Sequence, residues 1–297
     1  MIELDALTKR YGGTVAVDGL TFTVKPGRVT GFLGPNGAGK STTMRMIVGL
    51  DRPTSGAATV NGRPYAALRS PLRHVGAMLD ASQLHKGRSG YAHLHALAET
   101  HRIPRSRITE VLDLVGMSTA ARRRAGGYSL GMSQRLGIAA ALLGDPEVVI
   151  LDEPVNGLDP DGVLWIRTLL RDLADEGRTV LVSSHLMSEM AVTAEHLLII
   201  GRGRLLADTG VDELIDRVQV GSVLVRSPDS GLTDALTRRG ASVETDATGA
   251  LTVRGLTAAE IGDVARDERL ALTELTPHRA SLEEAYMDLT REAVEYA

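Results

Sequence analysis

Eight residues constrain this chain more than any others: Gly34-Pro35-Asn36-Gly37-Ala38-Gly39-Lys40-Ser41. They follow the pattern G-x-x-x-x-G-K-S, after an apolar run at 29–33 and ahead of a helical pattern that starts near Ser41. Glycines let backbone N–H groups turn inward around phosphate oxygens with no Cβ in the way. The helix that follows aims its positive end at the same anion. Lys40 can reach the β- and γ-phosphates, and the Ser41 hydroxyl is a magnesium ligand. With ordinary glycine usage, a chance match in a chain of this length is on the order of one in a hundred.

Such a loop needs acids opposite it. Residues 148–153 read Val-Val-Ile-Leu-Asp-Glu, an apolar strand that ends in two carboxylates. A buried parallel strand would deliver Asp152 and Glu153 to the carboxyl end of a sheet, beside the phosphate loop. Asp152 would then hold Mg²⁺, and Glu153 would polarise the attacking water. His185 ends another strand-like run, 179–183, and is placed to reach the γ-phosphate. Ser183-Ser184-His185 lacks the flanking glycines of a serine nucleophile elbow. His93, His95 and His101 lack the spacing and supporting acids of a metal site, and Arg122-Arg123-Arg124 reads as a solvated turn.

Composition narrows the class. The chain has 297 residues, 43% of them apolar, which is enough for a core without disulfides. Having no cysteine excludes a disulfide scaffold, a thiol nucleophile and iron–sulfur ligation. There are 33 basic residues against 37 acidic, a net charge of -4, so the basic excess of a nucleic-acid binder is missing and no nucleic-acid partner is expected. No segment approaches the roughly 18 apolar residues of a membrane span, so a cytoplasmic chain is expected.

Residues 1–216 read as mixed α/β and 217–297 as a second domain. Strands are expected at 2–7, 21–25, 29–33, 73–78, 148–151, 179–183 and 197–200, with a hairpin-like piece at 203–208. A hairpin turn is expected at Asn61-Gly62, between strands 57–60 and 63–65. Residues 89–143 read as helical. Trp165, Leu169 and Leu173 share a helix face. From Val218 the order is strand, helix, strand, strand, helix, strand, a ferredoxin-like α+β arrangement with its last strand at 270–275. An amphipathic helix from about Ser281 closes the chain.

Taken together, these motifs resemble the ATPase subunit of ATP-binding cassette transporters, over residues 1–215. Tyr128-Ser129-Leu130-Gly131-Met132-Ser133-Gln134-Arg135 stands where the family carries its signature, usually Ser-Gly-Gly-Gln; Ser129 and Gly131 match, whereas Leu130 and Met132 depart. The Ser-Leu-Gly-Met form is similar to that of drug, antibiotic and lantibiotic exporters. The resemblance implies an α/β P-loop ATPase cassette with a mixed sheet core, an N-terminal antiparallel β subdomain and an inserted helical subdomain at about 84–145. It implies ATP and Mg²⁺ as cofactors. The nucleotide would be held by Gly34, Pro35, Asn36, Gly37, Ala38, Gly39, Lys40, Ser41 and Thr42, with Tyr11 stacked on adenine. It also implies a head-to-tail homodimer, in which Ser129 and Gly131 bind the partner's γ-phosphate and Asp159 communicates between sites. Catalysis would fall to Glu153, His185 and Lys40, and the metal to Ser41 and Asp152. Where the family has a glutamine after the strand at 73–78, this chain has Asp80, with Gln83 three positions later; Asp80 is expected near the metal. The implied partner is a separately encoded integral-membrane permease, which would hold the chain at the inner face of the cell membrane. The rival reading is a soluble cassette ATPase that acts on ribosomes or DNA. The tail from Leu282 is similar to the closing helix of accessory domains on some export ATPases.

Overall fold

The computed structural model describes residues 1–80, 84–217, 222–278 and 281–294. The chain divides into two compact units, Met1–Gly210 and Val211–Ala297.

In the first unit, β1 (Ile2–Tyr11) pairs antiparallel with β2 (Thr14–Val24) on one side and β4 (Ser55–Val60) on the other. These strands alternate, because one face packs inward and the other meets water. A second sheet takes the order β5 (Val75–Met78), β6 (Val148–Asp152), β7 (Thr179–Ser183), β3 (Arg28–Leu33), β8 (His196–Gly201) and β9 (Arg204–Gly210). All its neighbours are parallel except β8 and β9. Its central strands are continuous apolar runs because both faces are covered. Ile2, Leu20, Phe22 and Val24 from the first sheet meet Phe32, Ile150, Leu181 and Ile200 from the second around Met44 and Ile47. The Phe22 and Phe32 rings lie 5.8 Å apart.

Helix α1 (Lys40–Ile47) follows β3. The helical insertion holds α2 (Gly90–His101), α3 (Arg105–Leu114) and α4 (Leu130–Leu142). Helix α5 (Pro160–Asp175) follows β6, and α6 (Met187–Thr193) follows β7. The α5 core face is Ile166, Leu169, Leu170 and Leu173. Trp165 is half-buried, with the Arg135 guanidinium 4.4 Å from its ring centre.

The second unit holds α7 (Val211–Arg217), β10 (Ser222–Arg226), α8 (Leu232–Arg238), β11 (Ser242–Thr245), β12 (Leu251–Arg254), α9 (Ala258–Asp267), β13 (Glu274–His278) and α10 (Leu282–Val294). The sheet order β11-β12-β10-β13, antiparallel throughout, is the split arrangement expected of a ferredoxin-like chain. Val223, Val225, Leu236, Val253, Ile261 and Val264 form its core.

Three expectations shift. The boundary lies at 210/211 rather than 216/217, because α7 packs against α10. No strand forms at 63–65: Val60 and Arg63 close the turn with two backbone hydrogen bonds, then Pro64, which has no N–H, leads into a 3-10 turn at Tyr65–Ala67. The last strand is Glu274–His278 rather than 270–275. Gln83 and Val218 lie outside the described residues.

Candidate active site

The phosphate loop joins β3 to α1. Gly39, at φ 106°, turns the chain into the helix, and a Cβ there would meet the Ala16 carbonyl oxygen at 2.5 Å. Only glycine fits that backbone. Lys40 is 8% exposed, and its Nζ donates to the Gly34 carbonyl at 2.5 Å and the Pro35 carbonyl at 3.3 Å. Burial pulls its pKa below the ordinary lysine value, and the Glu153 and Asp152 carboxylates offset part of that. An ammonium whose hydrogen bonds go to the Gly34 and Pro35 carbonyls can exchange them for phosphate oxygens.

The acids arrive from β6. Asp152 ends the strand, and its Oδ2 accepts from Ser41 Oγ at 2.7 Å. The first magnesium ligands expected from the sequence are therefore already adjacent. Both offer hard oxygen donors, as magnesium requires. Among the described residues no group of three or more His, Cys, Asp or Glu side chains could hold a metal by itself. The donor set thus fits a cation that takes its remaining ligands from phosphate and water.

Glu153 has φ 52°, a left-handed backbone uncommon outside glycine. Its Oε2 lies 2.7 Å from His185 Nδ1 and accepts from the His185 N–H at 3.4 Å. His185 therefore grips the second acid directly. A cleft of about 390 Å³ is lined by Pro35–Thr42 of the loop together with Leu79, Asp80, Asp152 and Glu153. Gln134, Asn156 and Ala16 complete its wall. Asp80 thus reaches the cleft as expected. Gln134, Asn156 and Ala16 were not foreseen; Gln134 is buried on α4, and its Nε2 donates to the Glu153 carbonyl at 3.4 Å.

Other expected residues stand off this cleft. Tyr11 ends β1 with its ring half exposed; Lys9 Nζ is 4.9 Å from the ring centre, and its hydroxyl donates to Asp51 at 3.0 Å. Ser129 caps α4 by accepting from the Met132 N–H at 3.2 Å. Asp159 caps α5 by accepting from the Gly162 N–H at 2.9 Å. Gly131 faces the Gly157 carbonyl, which a Cβ would approach to 2.9 Å. Leu130, one of the two departures from the usual signature, lies over Gly157, where there is no side chain to meet it.

A phosphate loop at a strand–helix junction, two carboxylates at the end of a parallel strand and a histidine just past the end of the neighbouring strand define a nucleotide-hydrolysing P-loop protein. Residues 17–156 match the family described as ABC transporter, and residues 221–283 a family described as a domain of unknown function (DUF8746). The chain is 41% identical over 237 residues to the uncharacterized ABC transporter ATP-binding protein YhcH of Bacillus subtilis (strain 168), covering 78% of each chain. It is 41% identical over 220 residues to the bacitracin transport ATP-binding protein BcrA of Bacillus licheniformis, covering 73% of this chain and 72% of BcrA. The dimeric structure of MJ0796, a bacterial ABC transporter cassette, shares the fold at a TM-score of 0.66 and 24% identity, over 71% of this chain and 99% of that one. The chain belongs to the ABC transporter ATP-binding proteins. It is an ATP-binding ATPase subunit, and these relatives do not favour the ribosome- or DNA-acting alternative. Among the described residues no helix is long and apolar enough to cross a membrane.

Proposed function

We propose that this chain powers export of a drug-, antibiotic- or peptide-like cargo through a separate integral-membrane permease, and that it works as a head-to-tail homodimer at the inner face of the cell membrane. The chemistry rests on one observation: Lys40, Ser41, Asp152 and Glu153 converge on a single cleft. The loop amides of 34–41 and Lys40 bind the phosphates of ATP. Ser41 and Asp152 would hold Mg²⁺, with Asp80 beside them. Bound there, the ion would supply charge neutralisation on the phosphate oxygens. Glu153 orients the attacking water and takes its proton. His185 fixes the Glu153 carboxylate through their 2.7 Å contact and would reach the γ-phosphate from there. Tyr11 offers its exposed ring to adenine.

Ser129, Gly131 and Asp159 lie outside the cleft of their own chain, at the starts of α4 and α5. This supports a reading in which they complete the site of a second copy, with the α4 N-terminus against the γ-phosphate. The dimeric MJ0796 cassette supports the same reading. Cargo class rests on the likeness to the bacitracin transport protein BcrA, and direction on the resemblance carried by Ser129-Leu130-Gly131-Met132 and the tail. A second groove, of about 600 Å³, is lined by Leu50, Tyr65, Leu72 and Leu97 together with Ser41, Arg45 and Asp80, so a permease segment seated there would meet polar as well as apolar groups.

The test is Glu153→Gln. It keeps ATP binding, slows turnover at least about 100-fold and leaves an ATP-bound dimer on size exclusion. Turnover at the normal rate would overturn the role given to Glu153. Co-purification with a polytopic membrane protein is expected from detergent-solubilised membranes; co-sedimentation with ribosomes or DNA instead would overturn the transport reading.

A further inference from the structure

Ser183 has no part in the roles above, yet its hydroxyl meets the Asp152 carboxylate and the backbone of Glu153. It is the last residue of β7, lies directly across from Asp152 in the parallel register and has no exposed surface. Its Oγ donates to Asp152 Oδ1 and accepts from the Glu153 backbone N–H at 3.0 Å. One buried hydroxyl thus spends its donor on one carboxylate and an acceptor on the backbone of the next residue.

Two further facts give those contacts weight. The other Asp152 oxygen is held by Ser41 Oγ, the atom that the phosphate-loop motif assigns to the metal. A serine turned toward a cation releases Asp152 Oδ2, and Ser183 then remains the hydrogen bond that fixes the carboxylate plane. Glu153, meanwhile, sits at φ 52°, a conformation that persists only where its surroundings enforce it. The Ser183 hydroxyl on its N–H and Gln134 on its carbonyl are the side chains that grip this peptide backbone.

We propose that Ser183 is a positioning residue for hydrolysis: its hydroxyl aligns the Asp152 carboxylate for the metal and locks the Glu153 backbone so that the second carboxylate faces the water. It touches no substrate and acts only through the two acids. The inference rests on the roles proposed for Asp152 and Glu153.

The experiment compares Ser183→Ala and Ser183→Thr in the full chain with wild type and Glu153→Gln. Ser183→Ala lowers kcat about 10-fold or more and leaves KM for ATP within about threefold, because lost hydrogen bonds to a charged group act on the aligned acids. Ser183→Thr keeps the hydroxyl on a residue that strands accept and restores kcat. A second readout needs no turnover. Fluorescent-ATP affinity is measured with magnesium and with EDTA; Ser183→Ala shrinks the gain that magnesium gives and leaves affinity in EDTA unchanged. If Ser183→Ala does not fold, as judged by circular dichroism, Ser183→Cys keeps the volume while weakening both bonds and carries the same expectation. Wild-type kcat and an undiminished magnesium gain in folded Ser183→Ala or Ser183→Cys would overturn the proposal. So would a folded Ser183→Thr that is as slow as Ser183→Ala. Glu153→Gln separates the failures. If it turns over normally, the assignment of the acids has failed; if it is dead while Ser183→Ala is normal, only the role of Ser183 has.

Discussion

Lys40 carries a cost that the nucleotide-free protein cannot recover. It is buried, answered by carbonyls and depressed in pKa by desolvation. Between that lowered pKa and the ordinary 10.5, the unfolded chain holds the proton while the folded one has lost it. The unfolded state then binds more protons, so this group makes stability rise with pH across that window. Lys40→Met should abolish ATP binding, leave the nucleotide-free chain at least as stable at neutral pH and remove this part of the alkaline slope. Urea unfolding of both proteins from pH 7 upward measures it. A Lys40→Met chain much less stable than wild type would show that the ammonium is a structural anchor instead. Lys40 and Ser41 were legible in sequence because their spacing is set by phosphate geometry. Ser183 and Gln134 were not, since each meets Glu153 across a fold-dependent contact 30 and 19 positions away.

Several helix starts carry their own caps. Ser129, Asp159 and Thr257 each satisfy an N–H in the first turn of their helix, and Thr257 with Glu260 forms a reciprocal capping box. Thr257→Ala should cost about 1 kcal/mol, confined to the second unit, with ATPase activity unchanged; thermal unfolding alongside a turnover assay reads both. Equal loss of activity would refute the independence of the two cores. The buried strands were legible as apolar runs. Pro277 sits in β13, which among the described residues pairs with β10 alone, an edge position where a residue without an N–H is tolerated. Periodicity put Trp165 on a face with Leu169 and Leu173 but reports no depth; Arg135 covers the ring.

For the whole molecule, each unit has a core of its own. A site completed by a second copy makes a test by mixing. Chains with Lys40→Ala and chains with Ser129→Arg should each be inactive. A mixture restores activity, because a mixed dimer pairs one intact phosphate loop with one intact signature. Strict additivity of two dead preparations would exclude the shared site.

By itself, the sequence determined the phosphate loop, the paired acids and the order of elements from β10 to α10, because local backbone sterics and apolar periodicity write these into short stretches of chain. Only the tertiary structure decided that Asp152 and Ser183 stand side by side, that Leu130 covers Gly157 and that α7 belongs with the second unit. Those contacts depend on which strand lies beside which and how closely two backbones approach. Such packing choices are settled by the whole core at once, and no local pattern records them.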